Sequence, residues 1–179
     1  FSNLFIIQAI EVEGAMLVDK EVISGPVSGN IIFWDLPIEV SEFPQIERID
    51  VKKDFAEHAV KITVEERGKM IIWCIEAHEN CYWADENGFI FTTAPVPEGV
   101  LVVSVVRDYT DRELKVGDNV LPNELFLNLK YAIELLKGLN VSIKEIRIDD
   151  LKFKEATAVI SGGPEVYFSL TFDPRFGKG

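Results

Sequence analysis

Two cysteines and a histidine between them are the residues whose types and spacing could bind a metal or form a cross-link. Cys74 and Cys81 are the only cysteines in the sequence. A two-residue turn at Ala77-His78 would place them directly opposite each other on a hairpin, within disulfide range. Three interpretations stay open: a disulfide formed in an oxidising compartment, two buried thiols, or a zinc site that includes His78. Cys74, His78 and Cys81 would supply only three ligands, whereas a structural zinc site needs about four. We therefore expect no metal and no cofactor.

Acidic side chains could act as general acids or bases, and the sequence has two adjacent pairs, Glu65-Glu66 and Asp149-Asp150. Neighbouring residues of a strand point to opposite faces, so neither pair converges like the two carboxylates of a glycosidase. The sequence also lacks a Gly-rich phosphate loop and a Gly-x-Ser-x-Gly elbow. We therefore expect no enzyme. Both pairs are expected to be solvated or to lie at a domain junction, where Glu66 and Arg67 could form a clamping ion pair.

The overall charge excludes several classes of partner. The chain has 30 acidic and 18 basic residues, a net charge of −12. Splitting it after Arg67 gives 6 − 13 = −7 for the first part and 12 − 17 = −5 for the second. Neither part suits nucleic acid or an anionic membrane surface. No run approaches the roughly 20 apolar residues of a membrane-spanning helix, and there is no signal-peptide pattern.

The elements that must position these residues fall into two groups, divided near Gly68. Val60, Ile62 and Val64 alternate with polar residues, which is typical of a strand with one buried face. The first group has a β-α-α-β-β order, which places two short helices on one face of a three-stranded sheet. Its predicted elements are a strand at Leu4–Val12, helices at Lys20–Val27 and Pro37–Phe43, and strands at Ile46–Phe55 and Val60–Glu66.

The second group is richer in strands. Asn87-Gly88 predicts a hairpin turn, and Gly99–Val106 is a β-branched run typical of a central strand. Asn123 is expected to cap one long helix, Glu124–Gly138. Further strands are predicted at Val141–Ile148, Leu151–Lys154, Ala156–Ser161 and Val166–Phe172. The predicted fold class is α+β: a small β-α-α-β-β domain, then a mostly antiparallel β domain with one long helix.

The order of these motifs resembles that of the bacterial cell-division proteins FtsQ and DivIB. Phe5–Gly14 is similar to the opening "I-x-V-x-G" strand of a POTRA domain, and Phe43–Val51 and Ile62–Arg67 are similar to its later strands. Tyr82–Phe91 resembles the hairpin that follows in this family. The resemblance covers nearly the whole chain, although Gly68-Lys69 replaces the usual proline. It implies a POTRA domain at residues 1–67 and a β domain at residues 68–179.

The resemblance further implies a non-enzymatic scaffold of the septum machinery, without cofactors. One transmembrane helix would precede Phe1, and this segment would lie on the outer side of the cell membrane. The family continues past the equivalent of Gly179, so the β domain would be truncated here. Other division proteins would bind the POTRA domain, and FtsB- or FtsL-type proteins would add a strand to the last sheet edge. The candidate edge residues are Val166, Tyr167, Phe168, Ser169, Leu170, Thr171 and Phe172.

Two alternatives stay open. One is a POTRA-type polypeptide-binding module of an outer-membrane assembly or transport protein. Such proteins usually carry tandem POTRA units, whereas nothing after Gly68 repeats the β-α-α-β-β order. The other alternative is an enzyme with an acidic site of unfamiliar pattern, which predicts convergent carboxylates with raised pKa values in a pocket.

Overall fold

The computed structural model describes residues 5–98 and 104–176. It has mixed α and β content, mostly strands in two sheets, with one long helix. The coarse α+β class is therefore confirmed. The chain forms two compact units, Phe1–Arg67 and Gly68–Gly179.

The first unit contains a three-stranded sheet in the order β1-β3-β2. Strand β1 runs parallel to the central strand β3, and β2 runs antiparallel to it. A short helix, α1, and one turn of 3-10 helix lie between β1 and β2 in the chain. The bounds are β1 Ala9–Glu13, α1 Lys20–Ser24, 3-10 turn Val40–Glu42, β2 Ile46–Asp54 and β3 Ala59–Glu66.

The buried face of β3 forms the centre of the first core. Val60, Ile62 and Val64 are all buried, as their alternation predicts. They pack with Ile23 of α1 and with Ile31 from the following loop. Fully burying each such side chain contributes about 1.5–3 kcal/mol. This small apolar cluster holds the sheet and the helical segments together.

The first strand and the first helix differ from prediction mainly in length. Strand β1 begins at Ala9 rather than at Leu4, a residue that lies outside the described part of the chain. The Asp19 side chain accepts a hydrogen bond from the Glu21 N–H at 2.9 Å, so the expected start of α1 is confirmed. The helix ends early because Gly25 adopts a φ of 59°.

The predicted helix Pro37–Phe43 was wrong in extent and type. Only Val40–Glu42 is helical, as a 3-10 turn whose start has no side-chain cap. Phe43 precedes Pro44, and a residue before proline is disfavoured in the α conformation. Pro44 therefore limits the helical turn at its C-terminal end.

The second unit contains a seven-stranded sheet in the order β10-β9-β8-β7-β4-β5-β6. The β4–β7 and β7–β8 pairs are parallel, and the other four neighbouring pairs are antiparallel. Helix α2 connects β7 to β8. The bounds are β4 Ile71–Ile75, β5 Asn80–Ala84, β6 Ile90–Ala94, β7 Ser104–Asp108, α2 Asn123–Gly138, β8 Ile143–Ile148, β9 Glu155–Ile160 and β10 Glu165–Ser169.

One face of this sheet forms the larger core with α2. Phe126, Leu129 and Ile133 are buried there, and Leu125 is partly buried against them. Trp73 from β4 is fully buried in the same cluster. The opposite face of the sheet carries a smaller buried cluster of Ile72, Cys74, Cys81 and Val105.

Two predictions for the middle of the second unit need correction. Asn123 is the first residue of α2 rather than its cap; Pro122 occupies the cap position, without a side-chain hydrogen bond. The predicted strand Gly99–Val106 corresponds to β7, which lies centrally between β8 and β4. Residues 99–103 of that prediction lie outside the described residues.

The predicted strand Leu151–Lys154 is a turn between β8 and β9. The Asp150 side chain accepts a hydrogen bond from the Lys152 N–H at 2.9 Å, which bends the chain locally. Lys154 has a φ of 51° and its N–H donates to the Leu151 carbonyl. Apolar residues alternating over four positions were a poor strand signal next to this Asp-initiated turn.

Candidate partner-binding edge

Strand β10 lies at one edge of the seven-stranded sheet, paired with β9 on one side. The Leu170 N–H donates to the Lys154 carbonyl at 2.7 Å. This hydrogen bond shows which alternate residues of β10 direct their backbone groups towards β9. Antiparallel residues alternate between bonding to the partner strand and pointing away from it. Tyr167 and Ser169 therefore direct their backbone groups outward, and no strand of the described residues pairs with that side.

The side chains of β10 divide between the core and the open face. Val166 and Phe168 pack partly buried against the larger core, whereas Tyr167 is 70% exposed. The Tyr167 hydroxyl donates to Glu165 at 2.8 Å, and Glu165 also forms a 2.7 Å ion pair with Arg147. By accepting this hydrogen bond, the Glu165 carboxylate raises the pKa of Tyr167. The result is an exposed aromatic ring held by polar contacts at the sheet edge.

The predicted edge strand Val166–Phe172 is too long at its end. Leu170 is fully buried, and its carbonyl accepts a 2.8 Å hydrogen bond from the Asn128 side chain of α2. The Thr171 N–H donates to the Ser169 hydroxyl, so the chain turns after β10. Leu170 is therefore unavailable to a partner, and Thr171 and Phe172 do not continue the ladder.

Phe153 is an exposed aromatic residue near this edge that the sequence did not single out. It is 70% exposed in the turn between β8 and β9, and Phe172 is 73% exposed just after β10. The bond between Leu170 and Lys154 brings both segments to the same end of the β9–β10 pair. Predicting Leu151–Lys154 as a strand hid Phe153, because strand residues of that type are usually half-buried.

Cys74 of β4 and Cys81 of β5 lie opposite each other and form a disulfide. The connecting turn differs from the expected two-residue form. Ile75 pairs with Asn80, so four residues lie between the strands, and Glu79 adopts a φ of 53°. No group of three or more possible metal ligands occurs among residues 5–98 and 104–176.

Reducing this disulfide is expected to lower the free energy of unfolding of the second unit by about 2–3 kcal/mol. The cross-link restricts the unfolded chain, and its effect is moderate because the two cysteines are only seven residues apart. The measurement is urea unfolding of the oxidised and the reduced chain, with alkylation to report the thiols. A variant with both Cys74 and Cys81 replaced by alanine serves as control and should not respond to reductant. Equal stability of the two wild-type forms would contradict the prediction.

Glu65 and Glu66, for which a place at the domain junction was one expectation, both contact partners within the first unit. The Glu66 carboxylate accepts hydrogen bonds from the N–H groups of three successive residues, at 2.8, 2.6 and 3.2 Å, in the loop Met16–Val18. Glu65 forms a 2.7 Å ion pair with Arg48 of β2. Glu66 thus anchors the loop that follows β1, a role that sequence spacing did not predict because the partners are about 50 residues apart.

A cleft of about 630 Å³ lies beside the β4–β5 turn in the second unit. Its lining includes the His78 imidazole and charged side chains of both signs, from Glu113, Lys115 and Asp118. The Asp118 carboxylate accepts a 3.0 Å hydrogen bond from the Lys115 N–H. This mixed lining does not identify a reaction, and the absence of enzymatic activity stays a prediction.

No protein-family model matches the chain, and no curated protein matches it. None of the helices in the described residues is both long enough and apolar enough to cross a bilayer.

Proposed function

We propose that this chain is a non-enzymatic extracytoplasmic scaffold of the FtsQ and DivIB type, which binds other proteins of the bacterial septum machinery. The observation that carries the proposal is the edge position of β10, with Tyr167 exposed on it. An unpaired edge offers backbone donors and acceptors to an added strand, and its alternating side chains give specificity. Exposed aromatic residues are frequent anchors of protein interfaces. The partner would be an FtsB- or FtsL-type segment.

The first unit supports the POTRA part of the proposal. Its sheet places β1 parallel to the central strand β3, and the helical segments fall between β1 and β2. This arrangement is compatible with a POTRA domain, which would recruit further division proteins. The seven-stranded sheet of the second unit does not repeat this topology, which favours the scaffold over a tandem-POTRA assembly or transport protein.

The disulfide supports the proposed location on the outer side of the cell membrane. Disulfides persist in oxidising compartments and are rare in the cytosol. The Cys74–Cys81 bond is buried within the smaller cluster of the second sheet. In the proposed full-length protein, one helix before Phe1 would anchor this segment to the membrane.

Replacing Tyr167 tests the proposed edge. Tyr167→Ala removes the aromatic anchor and should weaken binding of an extracytoplasmic FtsB-type segment about 30-fold, since a hot spot contributes about 2 kcal/mol. Tyr167→Pro also removes an outward N–H without removing a bond to β9, because proline is tolerated on an open edge. It should weaken binding about tenfold beyond Tyr167→Ala. Isothermal titration with the purified chain measures both affinities.

A matched control is Leu139→Ala, which removes an exposed apolar side chain just after α2. It should leave the affinity unchanged. Equal binding by the alanine and proline variants of Tyr167 would show that no strand is added at this edge. No binding by a version of the chain extended past Gly179 would count against the division scaffold itself.

A further inference from the structure

Two stretches of the first unit contain no Asp, Glu, Lys or Arg. They are residues 1–10 and residues 22–34, and the second is the longest such stretch in the sequence. Charged residues make up 27% of the chain, and the first unit has a net charge of −7 from 6 basic and 13 acidic residues. What makes these stretches informative is their joint position in the fold.

The structure brings residues 5–7 of the first stretch beside residues 29–31 of the second. The Ile7 N–H donates to the Gly29 carbonyl at 3.0 Å, and the Ile31 N–H donates to the Phe5 carbonyl at 2.8 Å. Ile6 and Asn30 form an antiparallel bridge between these bonds. Ile7 and Ile31 are buried in the core of the first unit. These two isoleucines anchor the stretches, and the residues around them stay at the surface.

The exposed side chains of the two stretches are largely apolar. Asn30 fixes the turn that follows it, since its side chain accepts the Ile32 N–H at 2.9 Å and its carbonyl accepts the Phe33 N–H at 3.0 Å. Phe33 is 80% exposed at this turn. Six of the ten exposed large apolar residues described in the first unit belong to the two stretches. We call them the uncharged patch: Phe5, Ile6, Val22, Val27, Ile32 and Phe33.

We propose that the uncharged patch inserts into the interfacial region of a zwitterionic lipid bilayer. The two segments carry no charged side chain, and the Lys53 ammonium that donates to the Trp34 carbonyl at 2.6 Å has a long stem that can reach the headgroup layer, so the apolar side chains can enter this region at little desolvation cost. Protein interfaces, in contrast, usually surround an apolar centre with a polar rim. The net charge of −7 would repel an anionic bilayer, so a zwitterionic one is the matching partner. The fixed turn at Asn30 limits the conformational entropy lost on insertion.

Vesicle binding tests this proposal independently of the division partners. The purified 179-residue chain is mixed with phosphatidylcholine vesicles, and the bound fraction is measured by flotation over a range of lipid concentrations. We expect binding that changes little between about 50 and about 500 mM NaCl, because no ion pair with the lipid headgroups is involved. Phe33→Glu should reduce the partition coefficient about tenfold or more, because Phe33 supplies the most exposed apolar side chain of the patch.

Met16→Glu is the matched control, because Met16 is 90% exposed in the same unit but lies outside both uncharged stretches. It should keep the wild-type partition coefficient. Circular dichroism of both variants checks that they fold. Failure of the wild-type chain to float with the vesicles, or an equal loss in both variants, would overturn the proposal. It would also be overturned by a wild-type dimer that Phe33→Glu dissociates, since a second copy would then cover the patch.

Discussion

Replacing Trp73 with alanine is expected to lower the free energy of unfolding of the second unit by about 4–5 kcal/mol. Trp73 is fully buried in the core between α2 and the sheet. Its indole N–H donates to the Asp108 carboxylate at 3.0 Å, and Asp108 is fully buried as well. The substitution therefore creates a cavity and also removes one hydrogen bond from a buried charge. Urea unfolding, with hydrogen exchange to assign the transition to the second unit, measures the effect.

Two variants separate the contributions to this loss. Trp73→Phe keeps most of the apolar volume but removes the indole donor, so it should cost about 1–3 kcal/mol. Trp83→Ala removes a tryptophan that is only partly buried, on the opposite face of the sheet, and should cost less than Trp73→Ala. A loss from Trp83→Ala as large as that from Trp73→Ala would contradict the assignment of Trp73 to the central core.

The buried carboxylate of Asp108 shows where sequence patterns stop being informative. Asp108 lies two residues beyond the predicted strand Gly99–Val106, yet it is the last residue of β7 and has no exposed surface. Besides Trp73, it accepts a 3.0 Å hydrogen bond from the Thr110 N–H and a 2.8 Å hydrogen bond from the Arg112 side chain. A buried charge is tolerated when such partners surround it. Trp73 lies 35 residues away in the chain, and local spacing does not reveal that pairing.

Sequence patterns predicted the structure more successfully where neighbouring residues in the chain determine it. The alternation of Val60, Ile62 and Val64 predicted which face of β3 is buried, and Asn87-Gly88 predicted the hairpin turn before β6. Both depend on side-chain period or on backbone conformations of neighbouring residues. The end of the candidate edge strand depends instead on Leu170, which is held by Asn128 from another element. Strand β10 was therefore predicted in position but not in length, and its role as a binding edge stays a prediction.

Gly14→Ala is the second substitution with a large expected effect, about 3–4 kcal/mol on the unfolding of the first unit. Gly14 has a φ of 84°, and a Cβ atom there would lie 2.0 Å from the Val64 carbonyl oxygen of β3. The backbone must move to relieve that overlap. The movement would also displace the loop that follows, in which Met16 and Leu17 donate their N–H groups to Glu66.

Gly29→Ala is the control that isolates the close approach from the backbone conformation. Gly29 has a similar φ of 96°, but an added Cβ would meet nothing within 4 Å. Its expected cost is only the strain of a positive φ, about 1–2 kcal/mol. Hydrogen exchange of peptides covering residues 14–18 and β3 should report faster opening in Gly14→Ala than in Gly29→Ala. Equal losses at both positions would mean that the positive φ alone, rather than contact with Val64, makes glycine necessary at position 14.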